Sequence, residues 1–480
     1  MSQQRGVESS PPSFSQLEPG SFRDPDSRVF YAEDGVLRVL SERGRADWEA
    51  FAASSLFSEA TAEGKLVATE TADSVIDQLP HVLHREVAAV LRHEVIPFVS
   101  YPYEWPFGML KDAALLQLEL LRRALSEELI LKDSSPYNVQ WRGSQPVFID
   151  IGSFERLRPG EAWSAYRQFC MLFLYPLMLQ AYKNVPFQPW LRGKVDGLEP
   201  AECAAVMSIR DRFRRGVLTH VVLHARLDRR HTESDRDVRG ELRKAGFRKE
   251  LIEANVRGLE KTVRRLQWDP PASVWTEYGT TTTYSDADAE RKEQIVRAAV
   301  ESRRWRLVWD LGANDGRYSR IAAANADHVV AADGDAAVVE ALYRTLKQES
   351  EKRVLPLVFD VTDPSPGLGW RGAERQTLAD RGTPDLTLCL ALIHHVSISG
   401  NVPVADFLDW LRGLDTSLVI EFPTREDPMV RRLLARKRED AHPDYNRGWF
   451  EQALGERFNV ERSEELSSGT RVIYVAQPGT

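Results

Sequence analysis

The stretch "VWDLGANDGRYSR", residues 308–320, decides the fold of the C-terminal half of this chain. It reads as an apolar strand that ends in a glycine turn and leads into a helix. Gly312 lets the backbone turn tightly at the carboxyl end of the strand and approach a ligand closely. Asp310, Gly312 and Gly316 have the spacing D-x-G-x-x-x-G, and Asn314 stands where dinucleotide-binding turns carry a second glycine. The stretch therefore predicts a nucleoside site and argues against a pyrophosphate cofactor.

More strands follow this turn at regular intervals, and helical stretches lie between most of them. The runs are HVVAADG, PLVFDV, LTLCLAL, LVIEFP, FNVER and TRVIYVA. Strand–helix alternation over about 200 residues is typical of an open, mostly parallel sheet that helices cover on both faces. The C-terminal half is therefore predicted to be an α/β domain.

Two acidic residues stand at the ends of the second and third of these strands. Asp333 comes about 20 residues after the glycine turn, where a carboxylate can accept both ribose hydroxyls. Asp360 is placed to accept from an adenine amino group. Both residues also fit a second interpretation, in which they only initiate turns. The carboxyl ends of parallel strands meet in one crevice, which favours the nucleoside interpretation.

The motifs VWDLGANDG, AADGD, LVFDV and PDLTLCLALIHHV together resemble class I S-adenosylmethionine-dependent methyltransferases, whose sheet is Rossmann-like and seven-stranded. The resemblance covers roughly residues 275–477. WTEYGTTTTYSDADAERK, ALIHHVSISGNVP and VIEFPTREDPMV narrow it to bacterial methyltransferases of the nodulation-protein type. It implies S-adenosylmethionine as the cofactor and a carbohydrate or specialised metabolite as the acceptor. The residues that it places around the cofactor are Tyr284, Asp310, Gly312, Ala313, Gly316, Asp333, Asp360, Val361 and Leu390.

Candidate catalytic residues follow the fourth and fifth strands. A hydroxyl acceptor benefits from a base that removes its proton, and the imidazole pKa suits that task. His394 and His395 are the candidates, with no preference between them, and Glu421 is a further one. Both histidines also fit a packing role. The aromatic residues before the sheet, Tyr284 among them, either face the sulfonium cation or join the two halves of the chain.

The N-terminal half contains "LKDSSPYNVQWRGSQPVFIDIGSFE", residues 131–155, which has the spacing of a kinase's magnesium-side residues. Asp133, Asn138 and Asp150 match the catalytic-loop Asp, the Asn and the Asp-x-Gly Asp. The stretch resembles the small-molecule and lipopolysaccharide kinases. No G-x-G-x-x-G lid precedes it, and Arg38 stands where a lysine is expected. Three interpretations stay open: an inactive kinase-like scaffold, an active kinase of unusual build, or a coincidental match.

The remaining features of the sequence set the organisation of the chain. The 480 residues predict a flexible tail over 1–20, an α+β kinase-like domain over 21–268 and the methyltransferase domain over 269–480, with a boundary in WDPPAS. Helices are expected over 48–60, 81–93, 110–131 and 163–182. The residues 210–265 carry 17 Lys+Arg against 9 Asp+Glu, which indicates either a solvated face or an anion-facing surface.

The bulk composition bounds location and partners. A net charge of −8 argues against nucleic acid as the main partner, and three scattered cysteines indicate a reducing cytoplasm without a metal cluster. No membrane span is expected. We therefore predict a cytoplasmic methyltransferase that modifies a hydroxyl, and the sequence leaves homo-oligomerisation open. The alternatives are a bifunctional kinase–methyltransferase and a non-catalytic protein that binds S-adenosylmethionine.

Overall fold

A computed structural model describes residues 14–32, 35–78, 87–232, 248–270, 285–438 and 441–479. The described N-terminal half opens with a five-stranded antiparallel sheet of order β1-β2-β3-β5-β4. Its strands are β1 (Phe14–Leu17), β2 (Ser27–Ala32), β3 (Gly35–Leu40), β4 (Thr69–Thr71) and β5 (Ala89–His93). Helices α1 (Glu42–Ala52) and α2 (Ser55–Ala62) lie between β3 and β4. The hairpin predicted around Gly35 is present as β2 and β3.

Two sequence predictions for this region were wrong where the structure describes them. Residues 14–17 of the predicted flexible tail form β1, which pairs with β2. The helix predicted over 81–93 is the strand β5 from Ala89 onward, because its apolar residues pair between β3 and β4. The first part of that segment, 81–86, lies outside the described residues.

Helix α3 (Phe107–Ser126) is the long central helix of this half, and it leads into the loop that carries the kinase-like motif. It ends before β6 (Leu129–Leu131), which the sequence had included in the helix. Strand β7 (Val139–Arg142) pairs with β8 (Gln145–Phe148), and β6 pairs with β9 (Phe154–Arg156). These two pairings bring the loop after β6 next to the loop after β8.

The helices that follow complete the N-terminal half. The helix predicted over 163–182 is present as α4 (Tyr166–Phe169), a π-helical stretch (Cys170–Leu174) and α5 (Tyr175–Lys183). Further on, a second π-helical stretch (Val217–Leu223) runs into α8. The remaining helices are α6 (Gln188–Gly193), α7 (Pro200–Val206), α8 (His224–Thr232) and α9 (Lys249–Arg265).

The C-terminal half is built on a seven-stranded sheet of order β12-β11-β10-β13-β14-β16-β15. Its strands are β10 (Trp305–Leu311), β11 (Ala326–Asp333), β12 (Val354–Val358), β13 (Leu386–Cys389), β14 (Ser417–Pro423), β15 (Phe458–Glu465) and β16 (Arg471–Pro478). The first five are parallel, and β16 is antiparallel to both of its neighbours. All seven strands read from the sequence are therefore confirmed.

Helices precede or connect these strands, and half of those described join neighbouring parallel strands. They are α10 (Asp286–Glu301), α11 (Arg317–Ala323), α12 (Ala336–Glu349), α13 (Val404–Gly413), α14 (Pro428–Leu434) and α15 (Arg447–Gly455). Among the helices of the described residues, none combines the length and the apolar character that a membrane crossing requires.

The two halves share one hydrophobic core. Trp141 packs edge-to-face on Tyr343, with 5.8 Å between ring centroids, and Phe98 packs in the same way on Trp309. Trp268, in the predicted linker, is buried and donates from its indole nitrogen to Asn184 Oδ1 at 2.8 Å. The described part of that linker is therefore packed between the halves, and residues 271–284 lie outside the described ranges.

Candidate active site

A cavity of about 770 Å³ lies at the carboxyl ends of β10, β11, β12 and β13. Residues from the glycine turn, from the ends of β11 and β12, and from the segment after β13 line it, together with one face of α10. They include Asp286, Ala289, Lys292, Gly312, Ala313, Asn314, Tyr318, Asp333, Asp360, Val361, Leu390 and His395. The strand order predicts a crevice at this point, because parallel strands on either side of β10 are connected in opposite directions.

The glycine turn forms one wall of the cavity. Gly312 has a φ of +77°, and its amide and that of Ala313 both donate to the Ala332 carbonyl, which ties the turn to β11. Gly316 begins α11 with a φ of +74°, and a Cβ there would lie 2.5 Å from Leu342 Cδ1. Glycine is therefore required at 316 for helix packing, whereas Gly312 borders the cavity.

Asp333 lies where the sequence placed it, in the cavity at the end of β11. Its carboxylate accepts the Asn314 amide at 3.1 Å and the Asp335 amide at 2.9 Å. Burial raises the pKa of Asp333, and the two amides oppose that rise. The carboxylate is thus fixed in direction, with acceptor capacity left for ligand hydroxyls.

Asp360 lies at the cavity rim, two residues after β12. One carboxylate oxygen accepts from the backbone amide and the hydroxyl of Thr362, at 2.8 and 2.7 Å. The other oxygen has no hydrogen-bond partner among the residues that the structure describes. Val361 lines the same rim, and Leu390 lines the cavity at the end of β13. Ala391, the next residue, has a φ of +53°, a conformation that non-glycine residues adopt mainly at constrained sites.

The two histidines occupy different environments. His395 lines the cavity, while His394 is fully buried behind it and neither of its ring nitrogens has a partner within the described ranges. Their ring centroids are 4.0 Å apart. Burial, with a smaller contribution from Arg471, lowers the pKa of His395 to about 4, and burial holds the pKa of His394 well below its usual range. Both rings are therefore neutral near pH 7.

A buried network of charged residues lies beside His395. Lys292, on the cavity-lining face of α10, donates to Glu421 at 2.7 Å, and Arg471 donates to the other oxygen of Glu421 at 3.1 Å. Arg471 also donates to Asp427 at 2.8 Å. Glu421 does not line the cavity. Its carboxylate instead binds the side chains of Lys292 and Arg471. The Lys292 ammonium lies 4.9 Å from the centre of the Tyr318 ring.

Lys292 and Tyr318 are cavity residues that the sequence reasoning missed. Lys292 is 129 residues from its partner Glu421, and no local spacing signals that pairing. Tyr318 follows the glycine turn inside the quoted motif, so its position after Gly316 was the one available signal. The predicted cofactor residue Asp310 is buried and does not line the cavity, and it accepts from Ser319 at 2.6 Å; Tyr284 falls outside the described residues.

The kinase-like motif residues lie together in the N-terminal half, away from this cavity. Asn138 donates to Asp133 at 3.1 Å. Asp150 accepts from Ser153 and from Arg38, the latter at 2.9 Å. Arg38 also donates to Ser27. The arginine that replaces the expected lysine is thus paired with the carboxylate that would hold magnesium in a kinase.

The glycine turn, the carboxylate of Asp333 and the cavity between them give this site the features that a nucleoside cofactor such as S-adenosylmethionine requires. The cavity is large enough for such a nucleoside. A curated relative, the nodulation protein NoeA of Rhizobium meliloti (strain 1021), is 34% identical over 457 residues, which are 95% of this chain and 94% of that protein. This chain belongs to the family of that nodulation protein. A scan against protein families matches none of them.

Solved methyltransferase structures match the C-terminal half. The N-methyltransferase NodS from Bradyrhizobium japonicum WM9, in complex with S-adenosyl-L-homocysteine, is 11% identical, covering 41% of this chain and 90% of its own, with a TM-score of 0.31. Magnesium protoporphyrin IX methyltransferase from Synechocystis PCC 6803, with bound S-adenosylmethionine, is 17% identical, covering 45% and 89%, with a TM-score of 0.29.

Proposed function

We propose that this protein transfers a methyl group from S-adenosylmethionine to a hydroxyl of a carbohydrate or related specialised metabolite. The observation that carries the proposal is the composition of the cavity, which has a ribose-binding carboxylate at Asp333 and a neutral imidazole at His395. The bound cofactor supplies an electrophilic methyl group. The protein's task is then to orient the acceptor, exclude water and accept one proton.

In this proposal Gly312 and Ala313 border the methionine part of the cofactor, Asp333 holds the ribose and the free oxygen of Asp360 faces the adenine amino group. Val361 and Leu390 provide apolar contacts to the adenine. Asp310 supports the turn from below through Ser319, and Gly316 supports it by allowing α11 to pack. The Rossmann-like arrangement of the methyltransferase class agrees with the strand order of the sheet.

A polar groove supports a carbohydrate acceptor. It has a volume of about 350 Å³ and shares Asp286, Ala289 and Arg317 with the cofactor cavity. Its other lining residues are Glu290, Glu293, Gln294 and Arg297. Carboxylate, amide and guanidinium groups match the donors and acceptors of sugar hydroxyls, and among them Glu293 pairs with Arg297 and Arg317. The groove therefore favours a hydroxyl-rich acceptor.

His395 is proposed as the base, and His394 is not. Only His395 lines the cavity, and its ring is unprotonated at pH 7, although a pKa of about 4 makes it a weak base. His394 contributes by packing against it. Glu421 is proposed as a positioning residue, because Lys292 and Arg471 both bind its carboxylate.

The test measures S-adenosylhomocysteine formation with a panel of neutral oligosaccharides, and it locates the new methyl group by NMR. We expect His395→Asn to lower kcat by about 10²–10⁴-fold while the calorimetric Kd for S-adenosylmethionine stays within about twofold. The matched control is His394→Leu, which removes two unpartnered buried nitrogens and retains turnover. A methyl group on nitrogen, or full activity of His395→Asn, would contradict the proposal.

We also propose that the N-terminal half is a kinase-like accessory domain without phosphoryl transfer. Its antiparallel sheet, α3 and the β6–β9 and β7–β8 pairs agree with that resemblance. The ion pair of Arg38 with Asp150 supports inactivity, because it occupies a carboxylate that a kinase needs for magnesium. The rival proposal is a bifunctional kinase–methyltransferase.

A thermal-shift titration separates these two proposals. With an inactive accessory domain, S-adenosylmethionine raises the melting temperature and ATP with Mg²⁺ leaves it unchanged. ATP-dependent phosphorylation of any acceptor, lost in Asp150→Ala, would establish the rival. Binding of S-adenosylmethionine without turnover on any acceptor would instead favour a non-catalytic partner protein. A cytoplasmic location belongs to the same proposal, and it is consistent with the free, buried state of Cys170, Cys203 and Cys389.

A further inference from the structure

A surface that combines exposed apolar side chains with arginines lies between α7 and the end of α8. Phe213 is 90% exposed and Ile209 is 72% exposed, and three leucines beyond them are about half exposed. We define the Phe213 surface by its apolar and basic members. They are Ile209, Phe213, Leu218, Leu223 and Leu227, with Arg210, Arg212, Arg215, Arg226 and Arg229. None of them lines the cofactor cavity.

The exposure of Phe213 is fixed by contacts beneath it. Asp211 is buried and accepts from Lys183 at 2.9 Å, from the Ser208 amide at 2.8 Å and from the Ser208 hydroxyl at 2.6 Å. Arg214 lies over the Tyr182 ring. These contacts anchor the short turn Arg210–Phe213 on the helix behind it, so Phe213 is held outward.

The helical stretch that follows is amphipathic. Val217, Val221 and Ala225 are buried, whereas Leu223 and Leu227, one turn apart, lie on the exposed face. An exposed apolar row on an anchored helix is costly in water and indicates a surface that contacts something else. A partner that binds the Phe213 surface must therefore contact both leucine and arginine side chains.

The charge of the surface identifies that occupant. Within the described ranges, the arginines of the Phe213 surface have no ion pair. The acidic residues beside them are already engaged, since Asp211 binds Lys183 and Arg214, and Asp228 binds Arg167. This positive surface occurs on a chain whose formal net charge is −8. It therefore favours an anionic partner.

We propose that the Phe213 surface docks the protein on an anionic lipid surface. Apolar side chains of a monotopic protein enter the boundary between headgroups and acyl chains, and flanking arginines bind the negative headgroups. A nucleic acid would use the arginines but leave the exposed leucines and isoleucine in water. The inference does not depend on methyl transfer, and it accounts for the basic run that the proposed function leaves unused.

The test is sedimentation of the full chain with two kinds of vesicle. One kind is pure phosphatidylcholine, and the other also contains about 30% phosphatidylglycerol. We expect binding only to the anionic vesicles, with loss at high salt. Replacing Arg210, Arg212 and Arg215 by Gln weakens binding about 100-fold, at roughly fivefold for each charge. Phe213→Ser with Ile209→Ser weakens it about 10-fold or more.

The control variant removes the same charge from another exposed basic segment. Replacing Arg431, Arg432 and Arg436 by Gln changes the net charge equally, and we expect binding to stay within about threefold because large exposed apolar side chains are not adjacent to them. All variants keep the melting temperature and the Kd for S-adenosylmethionine, because the altered residues are exposed and outside the cavity.

Several results would overturn the proposal. These are no binding to anionic vesicles, equal binding by wild type and both surface variants, or an equal loss in the control variant. A concentration-dependent dimer without vesicles that Phe213→Ser abolishes would assign the surface to a second copy of the chain. Binding to DNA as tight as to anionic vesicles would assign it to general polyanion attraction.

Discussion

The strongest stability prediction concerns the buried ion pair between the two halves. Glu104 and Arg381 are 2% and 0% exposed at their side chains, and their carboxylate and guanidinium meet in two hydrogen bonds of 2.5 and 2.7 Å. Arg381 also donates to the Val99 carbonyl at 2.8 Å, and Ser365 donates to the Glu104 carboxylate at 2.5 Å. These contacts all join residues that are 261 or more positions apart in the chain.

Arg381→Met leaves the Glu104 carboxylate buried without its cation. We expect the free energy of unfolding to fall by about 3–5 kcal/mol, which is the usual cost of removing one partner of a buried pair. The double variant Arg381→Met with Glu104→Gln removes both charges, and it should recover about 2 kcal/mol of that loss. Urea denaturation followed by tryptophan fluorescence measures the free energy of unfolding of these two variants and of the single variant Glu104→Gln.

The control is the ion pair of Arg192 with Asp363, which joins the same halves but is exposed. Its two hydrogen bonds are both 2.8 Å, so the geometry is comparable and the burial differs. Arg192→Met should cost only about 0.2–1 kcal/mol. The reasoning fails if the two single substitutions Arg381→Met and Glu104→Gln are additive, or if Arg192→Met costs as much as Arg381→Met.

Three further predictions follow from the site and its surroundings. Asp333→Asn should weaken S-adenosylmethionine binding by about 10–100-fold in calorimetry, since a charged acceptor is lost, and an unchanged Kd would remove it from the ribose site. Gly316→Ala should cost about 1–3 kcal/mol through strain and a clash with Leu342, whereas Gly413→Ala, with open space around it, should stabilise the chain by up to about 1 kcal/mol. Stability should fall as the pH falls from about 6.5 to 4, because the folded chain holds buried histidines neutral, His93, His220 and His395 among them, that the unfolded chain protonates, at about 1.4 kcal/mol per pH unit for each fully titrating ring. The pKa values of these histidines are about 3, 4 and 4 for His93, His220 and His395. Asp310, whose pKa burial raises to about 6, acts in the opposite direction, and a flat urea-denaturation profile over this range would contradict the prediction.

The sequence predicted the parts of the structure that local pattern determines. The seven strands of the C-terminal sheet carry short apolar runs between helices, and residues that line the cavity stand at the ends of four of those strands. Gly312 and Asp333 were found for that reason. Strand β5 was mistaken for a helix because its alanine and leucine suit either structure, and the strand β3 with which it pairs lies about 50 residues away.

Long-range pairings set the rest of the site, and these leave no local signal. Lys292 enters the cavity from a helix before the sheet, and its partner Glu421 comes from the fifth strand. The difference between His394 and His395 is likewise invisible in sequence, because two adjacent residues differ only in the direction that the backbone after β13 gives them. A single chain's pattern predicts which strand end holds a residue but not which side chain faces the ligand.

The N-terminal half packs against a segment that borders the cavity of the C-terminal half. The loop that resembles a kinase motif supplies one of these packing contacts. Tyr137 stands next to Asn138 in the motif loop, and its ring packs under Arg375, 4.0 Å from the guanidinium. Arg375 lies in the segment between β12 and β13, which begins just after Asp360 at the cavity rim. The same segment holds Asp363, which pairs with Arg192, and Arg381, which pairs with Glu104, so the N-terminal half fixes the segment near its start and near its end. Replacing the motif loop should therefore alter cofactor affinity even though no residue of the loop touches the cavity.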